Sequence, residues 1–170
     1  MIPDQVVDRT TARDHTFYDS SGPVVHVGFA DPYCPIGRRA VVGAATAQSW
    51  PPTDGGTLVV IQGPRFSSRA ESAHNAAAGW SIVGMTGMPE ASLARELALC
   101  YTAVAVVTDH DAGVEAGAGV THREVLDVFA RSVGRLRTLL AAAIEQLPQR
   151  RDCACADALD GQPLPFELPT

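Results

Sequence analysis

The sequence has no long apolar run and no run of basic residues. No stretch approaches the ~20 apolar residues that a membrane helix needs, and the N-terminus has no basic region followed by an apolar stretch, as a secretory leader would have. We therefore predict no membrane partner and a cytoplasmic location. The 13 basic residues are scattered and are outnumbered by 19 acidic residues, which gives a formal net charge of −6. This balance argues against nucleic acid as a partner.

Cysteine is scarce, with four residues at positions 34, 100, 153 and 155 of 170. Their spacing does not indicate a disulfide framework in a chain of this size, so we predict reduced thiols. A structural zinc site needs four ligands, and no histidine or further cysteine lies near Cys153 and Cys155 in sequence. We therefore predict no metal site and interpret the two C-terminal cysteines as part of an exposed tail.

What the sequence does contain is an alternation of short apolar runs and helical segments. The runs at 57–61, 81–85 and 101–107 are rich in β-branched residues and are typical of buried strands. Between them, residues 69–78 and 89–99 are mostly good helix formers. This alternation predicts an α/β fold with a mixed, largely parallel central sheet flanked by helices.

The longest predicted helix begins at a capping box. Thr121 and Glu124 have the required spacing, with Glu124 able to reach back to the Thr121 amide. Apolar residues then recur at three- and four-residue intervals, which places them on one face of a helix. We expect a helix of about 121–147 and a tail over 148–170. Because 46% of the residues are apolar and can fill one core, we assign residues 1–170 to a single domain.

Three polar or aromatic clusters follow the three predicted strands. They are residues 63–68, the pair Met85–Thr86, and residues 109–111. In parallel sheets, ligands bind beyond the carboxyl ends of the strands. We therefore expect these three loops to form one site.

Each cluster also has an ordinary structural explanation. An aromatic residue such as Phe66 is commonly part of the core, and Asp109 and Asp111 could simply cap the next turn. With His110 between them, the two aspartates could instead coordinate a divalent ion, as in a metal-assisted hydrolase. His26 lies in an apolar run, where a histidine with a satisfied hydrogen bond is the usual finding. The residues alone therefore predict a three-loop site and no reaction.

The loop after the first predicted strand carries the residues that point to a family. Residues 63–72, Gly-Pro-Arg-Phe-Ser-Ser-Arg-Ala-Glu-Ser, strongly resemble the purine-site signature of the trimeric purine nucleoside phosphorylases, in the 5'-methylthioadenosine phosphorylase branch. The similarity continues in order through Met85–Thr86 and Thr108–Asp111. Upstream, residues 4–10 and 26–35 are similar to earlier segments of the family. Nearly the whole chain takes part in the resemblance.

The resemblance implies a role for each residue of the three loops. Phe66 would lie against the purine ring, Met85 would pack under the ribose, and Thr86 would offer its hydroxyl to phosphate. Asp109 and Asp111 would accept hydrogen bonds from a 6-amino group and a protonated ring nitrogen, a pairing that favours adenine over hypoxanthine. Asp109 would also be the catalytic acid, because the departing purine develops negative charge.

The resemblance also implies specificity residues and partners. His26 and His122 are expected near the 5' substituent of the nucleoside, and Ser67 belongs to the purine-site signature. The family uses inorganic phosphate as co-substrate with no further cofactor. Its members usually form trimers, so a homotrimer is expected of the intact protein.

The start of the sequence departs from the family. Family members begin with a Gly-rich strand-turn that wraps phosphate, followed by an Arg-His pair, and neither is found in this sequence. We therefore expect the chain to correspond to the C-terminal portion of the family's domain, with a sheet that is incomplete at the N-terminus. Two functions stay open. One is phosphorolysis of 5'-methylthioadenosine or a related 6-aminopurine nucleoside to the free purine and a ribose 1-phosphate derivative. The other is a truncated, non-catalytic homologue that keeps a purine-binding pocket.

Overall fold

The described residues form three strands and four helices, which alternate as far as α3. The structure is a computed structural model that describes residues 1–19, 22–111 and 121–168. In chain order the elements are β1 (Gln5–Arg9), α1 (Pro35–Ala47), β2 (Thr57–Ile61), α2 (Arg69–Ala77), β3 (Ile82–Gly84), α3 (Glu90–Glu96) and α4 (His122–Glu145).

The sheet has the order β1-β2-β3, and both pairings are parallel. In its register Val59 lies opposite Val7 on one side and Val83 on the other. Val59 and Val60 of the central strand are fully buried, as expected for a strand of a parallel sheet that is covered on both faces. The strand predicted at 57–61 is confirmed with identical bounds, and the α/β architecture with it.

Two of the described helices, α2 and α4, begin where polar side chains satisfy free backbone amides. At α2, Ser68 and Glu71 form a capping box, and at α4 the same arrangement joins Thr121 and Glu124. The predicted helix of about 121–147 is therefore found, ending at Glu145. The segments predicted at 69–78 and 89–99 are also helical, over shorter ranges than predicted.

The strand predicted at 101–107 is wrong. Within the part of the chain that the structure describes, this segment carries no strand pairing. Its backbone exchanges one pair of hydrogen bonds of 2.9 Å, between Met1 and Ala105, and Tyr101 accepts a third from the Cys34 amide at 2.7 Å. A strand needs a continuous ladder, which isolated contacts of this kind do not supply.

Two clusters of apolar side chains cover the sheet and its helices. In the first, Ile2 packs between α1 and α4, where small residues such as Ala44 and Ala143 let the two helices approach closely. In the second, Leu58 and Val60 of β2 face apolar residues at and before the start of α3. Among the described residues, no helix is both long and apolar enough to cross a membrane.

The C-terminal tail packs against the rest of the protein. Leu159 is buried with Val25 and Ala98, and Cys155 is 3% exposed. Arg151 donates a hydrogen bond to the Ala98 carbonyl at 2.7 Å. The interpretation of this region as an exposed tail is therefore wrong for its buried residues, because its leucines cover an apolar surface that the sequence pattern did not reveal.

Candidate functional site

A cavity of about 660 Å³ lies along β3 and extends past the carboxyl ends of β2 and β3. Its wall is formed by the loops that follow these strands, by the segment 101–111 and by the first turns of α4. Six residues predicted for the site line it. They are Phe66, Ser67, Met85, Thr86, Asp109 and Asp111. The three loops expected to converge are therefore brought together in space, although their roles toward a ligand stay predictions.

The loop after β2 is held in shape by an ion pair. Arg65 donates two hydrogen bonds to Glu71, at 2.8 and 2.7 Å, and a third at 3.0 Å to the Phe66 carbonyl. The hydrogen bonds from Arg65 lower the pKa of Glu71 to about 2, with a further contribution from the Ser68 amide. The structure therefore places Arg65 in an intramolecular pair that supports the aromatic residue beside it.

The side chain of Phe66 is open to the cavity. It is 39% exposed, so it is not a core residue. The preceding Gly63 has a φ of +66°, and a Cβ atom at this position would lie 2.6 Å from the Met85 sulfur. Glycine therefore allows the loops after β2 and β3 to approach closely enough to share one cavity.

Arg13 joins the loops at the ends of the strands. Its guanidinium donates to the Gln62 carbonyl and to the Met85 carbonyl, each at 3.1 Å, and also to the Met88 carbonyl. Since Arg13 follows β1, Gln62 follows β2 and Met85 follows β3, one side chain ties three loops together. Arg13 is not predicted from the sequence, because an isolated arginine has no characteristic spacing from other functional residues.

The carboxylate of Asp109 has a fixed orientation. Thr108 donates a hydrogen bond from its Oγ1 to Asp109 Oδ2 at 2.7 Å. Asp109 and Asp111 are both half-buried, and both line the cavity with His110 between them. Two acceptor groups therefore face the same space, as recognition of hydrogen-bond donors on a ligand requires.

A second polar pair, which was not predicted from the sequence, lines the cavity. Tyr101 donates its hydroxyl proton to Glu90 at 2.7 Å. Burial, followed by the hydrogen bond to Glu90, raises the pKa of Tyr101 above its ordinary value. The hydroxyl is therefore a neutral donor already engaged by Glu90. Only the packing of α3 against the segment 101–108 brings these two residues together.

The two histidines predicted near the 5' substituent are not among the described residues that line this cavity. The His26 amide donates to the Gln162 side chain at 2.9 Å, and Gln162 donates back to the His26 carbonyl at 2.6 Å. His26 is thereby joined to the C-terminal tail. His122 is the exposed first residue of α4, one turn before the cavity residue Val125.

The cysteines form a group that sequence proximity did not predict. Among the described residues, one set of three or more histidine, cysteine or acidic side chains lies close enough to hold a metal ion, and it consists of all four cysteines. Their sulfur atoms lie within 4.8 Å of one another. No further ligand lies near Cys153 and Cys155 along the sequence, but in the folded chain Cys34 and Cys100 lie beside them. The triplet 109–111 does not form such a group, so the geometry gives no support to a metal-assisted hydrolase.

Burial is the main influence on the pKa of two of the four cysteines. It raises the pKa of Cys100 to about 12 and that of Cys155 to about 11. These two thiols are therefore neutral at neutral pH, and the four cysteines are free rather than paired in disulfides. A bound metal ion would displace the protons, because thiolates are the metal-binding form.

A further cavity of about 680 Å³ lies beside this cysteine group. It is lined by residues from β1, α1 and the tail, including Arg38, Arg95 and Cys155. None of the residues predicted for a nucleoside site belongs to it. The larger set of predicted residues therefore identifies the cavity beyond β2 and β3 as the candidate site, although the two volumes are similar.

Comparison with known proteins identifies related chains. The family model for the phosphorylase superfamily matches residues 1–145. The chain is 54% identical to a purine nucleoside phosphorylase of Streptomyces coelicolor over 178 aligned residues, covering 99% of this chain and 64% of that protein. It is 53% identical to an S-methyl-5'-thioadenosine phosphorylase of Mycobacterium tuberculosis, covering 99% of this chain and 61% of that protein.

A solved structure supports the same relationship. A mutant adenosine/methylthioadenosine phosphorylase from Schistosoma mansoni, in complex with adenine, superposes with a TM-score of 0.83 at 34% identity. The match covers 88% of this chain and 60% of that chain. This chain thus spans somewhat less than two thirds of the length of each relative named here.

Proposed function

Because the chain belongs to the phosphorylase superfamily, we propose that it takes part in the phosphorolysis of purine nucleosides. Inorganic phosphate is the co-substrate, and the products are a free purine and a ribose 1-phosphate derivative. The observation that carries this proposal is the shared cavity of the three strand-end loops. It brings an aromatic face, a thioether, a hydroxyl and two carboxylates to one space.

The aromatic and acidic residues give this cavity a place for the base. The exposed ring of Phe66 offers a flat apolar surface on which a purine can stack. Asp109 and Asp111 supply acceptors for the polar edge of the base. The loop that carries Phe66 is braced by the Arg65–Glu71 pair, so little order has to be gained when the base binds.

The reaction breaks the bond between the base and the anomeric carbon while a phosphate oxygen forms the new bond to that carbon. The departing purine takes the electron pair of the broken bond and develops negative charge. Asp109, in its carboxylic acid form, would donate a proton to a nitrogen of the purine and so stabilise the leaving group. The hydrogen bond from Thr108 orients this carboxyl group.

The remaining parts of the nucleoside and the phosphate are assigned to the loop after β3. Met85 would pack under the ribose and Thr86 would donate its hydroxyl to phosphate, both from a loop that Arg13 holds in place. Stabilisation of a polyanion by several prepositioned donors is a large part of catalysis in such reactions. Thr86 is one donor, and efficient catalysis requires further donors to the phosphate.

The proposed substrate is a 6-aminopurine nucleoside such as 5'-methylthioadenosine. Two acceptor carboxylates match an exocyclic amino group and a protonated ring nitrogen, whereas a 6-oxo group would meet an acceptor. We assign Ser67, His26 and His122 to substrate specificity. Since His26 and His122 lie outside the cavity of this chain, their proposed contact with the 5' substituent depends on the homotrimer expected for the intact protein.

A second candidate function is purine binding without catalysis. It is favoured by the contrast between the several predicted purine-site residues of the cavity and the single predicted phosphate-site residue, Thr86. In this case the chain would bind adenine and would not release purine from a nucleoside.

The test is phosphate-dependent release of free base from 5'-methylthioadenosine, adenosine and inosine. It is carried out with the 170-residue chain alone and with the N-terminal segment of a relative supplied in trans. Release of adenine in either arm, with slower release of hypoxanthine, supports the proposal. Adenine binding by calorimetry with no release in either arm supports the second candidate, and neither binding nor release overturns both.

A further inference from the structure

The four cysteines come from three separate parts of the chain. Cys34 is the N-cap residue of α1, Cys100 follows α3, and Cys153 and Cys155 belong to a turn in the C-terminal tail. The sequence distance from the first to the last spans most of the chain. Their convergence on one point, with all sulfur atoms within 4.8 Å of one another, therefore depends on the tertiary fold.

The spacing of the sulfur atoms fits a tetrahedral metal centre. Four thiolates around one Zn²⁺ have Zn–S bonds of about 2.3 Å, which places the sulfur atoms about 3.8 Å apart. The sulfur atoms of Cys100 and Cys153 are 3.4 Å apart, and the others lie within the 4.8 Å limit. Closing a tetrahedral site therefore requires the sulfur–sulfur separations to change by at most about 1 Å.

The backbone around the cysteines positions three of the ligands. The Cys34 amide donates to the Tyr101 carbonyl at 2.7 Å, which places Cys34 beside Cys100. Arg151 donates a hydrogen bond to the Ala98 carbonyl at 2.7 Å. Ala98 lies two residues before Cys100, and Arg151 lies two residues before Cys153. These two contacts tie the tail and the start of α1 to the same short segment.

The position of Cys34 suits a metal ligand. Cys34 is buried at the N-terminus of a helix of 13 residues, where the backbone dipoles favour negative charge. Its side chain makes no capping hydrogen bond to the helix, so its sulfur remains available to a metal. Arg151 adds a positive charge two residues before Cys153 in sequence, and its guanidinium donates to the Ala98 carbonyl, two residues before Cys100.

We propose that the four cysteines bind one structural Zn²⁺ ion that fastens the C-terminal tail to the start of α1 and the end of α3. Four protein ligands fill a tetrahedral site and leave no position for water or substrate, so this metal has no part in the reaction itself. The site is separate from the nucleoside cavity and does not depend on the proposed function.

The expected consequence of the metal is order in the tail. The described tail residues Leu159, Leu164 and Leu168 pack on Val25 and its neighbours. With zinc bound, the turn at 153–155 cannot move away from the segment that follows α3. Arg150 and Arg151 are exposed, and loss of the metal should let this segment move and so speed its cleavage by trypsin.

The first experiment measures metal content. The full 170-residue chain is expressed with zinc in the medium, purified with a phosphine reductant and without chelators, and analysed by inductively coupled plasma mass spectrometry. We expect about one zinc per chain. Cys100→Ser and Cys153→Ser should lose zinc affinity by more than the roughly 10–100-fold that is typical when a residue hydrogen-bonded to a metal ligand is changed. Ala154→Ser, between two of the ligands, should retain the metal and serves as the matched control.

A second measurement keeps the proposal testable where a cysteine variant does not fold. Cobalt is exchanged into the unmodified chain, and a tetrahedral tetrathiolate centre then gives intense visible absorption together with a sulfur-to-metal charge-transfer band. Absence of any metal from zinc-supplied protein would overturn the proposal. So would full zinc content in the two cysteine variants, or a thiol titration of denatured, unreduced protein that finds disulfides in place of free thiols.

Discussion

The nucleoside cavity and the cysteine group are built from the chain in different ways. The cavity residues lie in short loops that each follow one apolar run, and every loop has its own local signature. The cysteine group contains residues from positions 34 to 155, and no local sequence motif predicts it. Both sites use the segment that begins at Cys100 and ends at Asp109. A site built from loop motifs can thus be read from sequence, whereas one built from distant single residues cannot.

The difference also concerns what each site does for the fold. The cavity leaves Phe66 exposed and has two carboxylates in its lining, which are features of a surface kept for a ligand. The cysteine group instead lies where the tail meets the rest of the protein, and Cys34 and Cys155 are buried. We therefore expect changes in the cavity to alter binding and rate, and changes in the cysteine group to alter stability.

The largest expected effect is on the proposed reaction. Asp109→Asn removes the acid that would protonate the leaving purine, so kcat/KM for 5'-methylthioadenosine should fall by roughly 10²–10⁴-fold. The control is Asp157→Asn, an exposed carboxylate of the tail outside this cavity. If Asp109→Asn retains most of the activity of the unmodified protein, Asp109 is not the acid.

Removal of the metal should have the next largest effect, and on stability rather than rate. Zinc at 100 times its dissociation constant contributes about 2.7 kcal/mol to the free energy of unfolding. Chelation should therefore lower Tm, by about 2–4 °C per kcal/mol for a chain of this size. Ala154→Ser should show the same dependence on chelator as the unmodified chain, and Cys100→Ser should show none. If the Tm of the unmodified chain changes with neither zinc nor chelator, the stabilising role is contradicted.

Loss of the aromatic face should weaken binding of the base. Phe66→Ala should raise the Kd for adenine by the equivalent of about 1–3 kcal/mol, the usual contribution of stacking between a base and an aromatic side chain. Phe166→Ala is a matched control, because Phe166 is also 39% exposed but stacks on Tyr18 away from the cavity. Calorimetric titration measures both variants. Equal effects of the two changes would mean that Phe66 has no special contact with the base.

The smallest expected effect concerns pH and the loop after β2. The folded pKa of Glu71 is lowered to about 2 from 4.5, so the ion pair with Arg65 contributes stability above pH 4.5 and loses it as the pH falls toward 2. Because the pair is exposed, its contribution is small.

Glu71→Gln should therefore flatten the fall in the urea midpoint between pH 5 and pH 3, with little change in the nucleoside cavity. Glu167→Gln controls for the loss of one exposed acidic group. An unchanged slope in Glu71→Gln would show that the pair does not contribute to acid stability.

Local sequence signals predicted the elements that have capping or turn-forming residues at their ends. The central strand β2 is bounded by glycines and was predicted at its observed bounds. The capping boxes of α2 and α4 satisfy backbone amides with side chains three residues apart, so the information is contained in a few adjacent positions. The three loops of the cavity follow from the same rule, since they begin where predicted strands end.

Local sequence patterns do not predict segments whose conformation depends on distant contacts. No element was predicted at α1, whose Gly37 and Gly43 are poor helix formers. A Cβ atom at Gly37 would lie 2.3 Å from the Thr102 hydroxyl, so the close approach of a remote segment requires this glycine. That same remote segment, predicted as a strand at 101–107, has the composition of a strand but lacks a ladder partner among the described residues.

The sequence by itself determined the family, the α/β class and the chemical character of the three loops, because each depends on residues close together in the chain. Only the tertiary structure decided that Arg13 clamps the strand ends, that the tail is packed, and that four scattered cysteines meet. A contact between remote residues depends on the summed packing of all the elements between them. No local pattern of spacing or polarity encodes that sum.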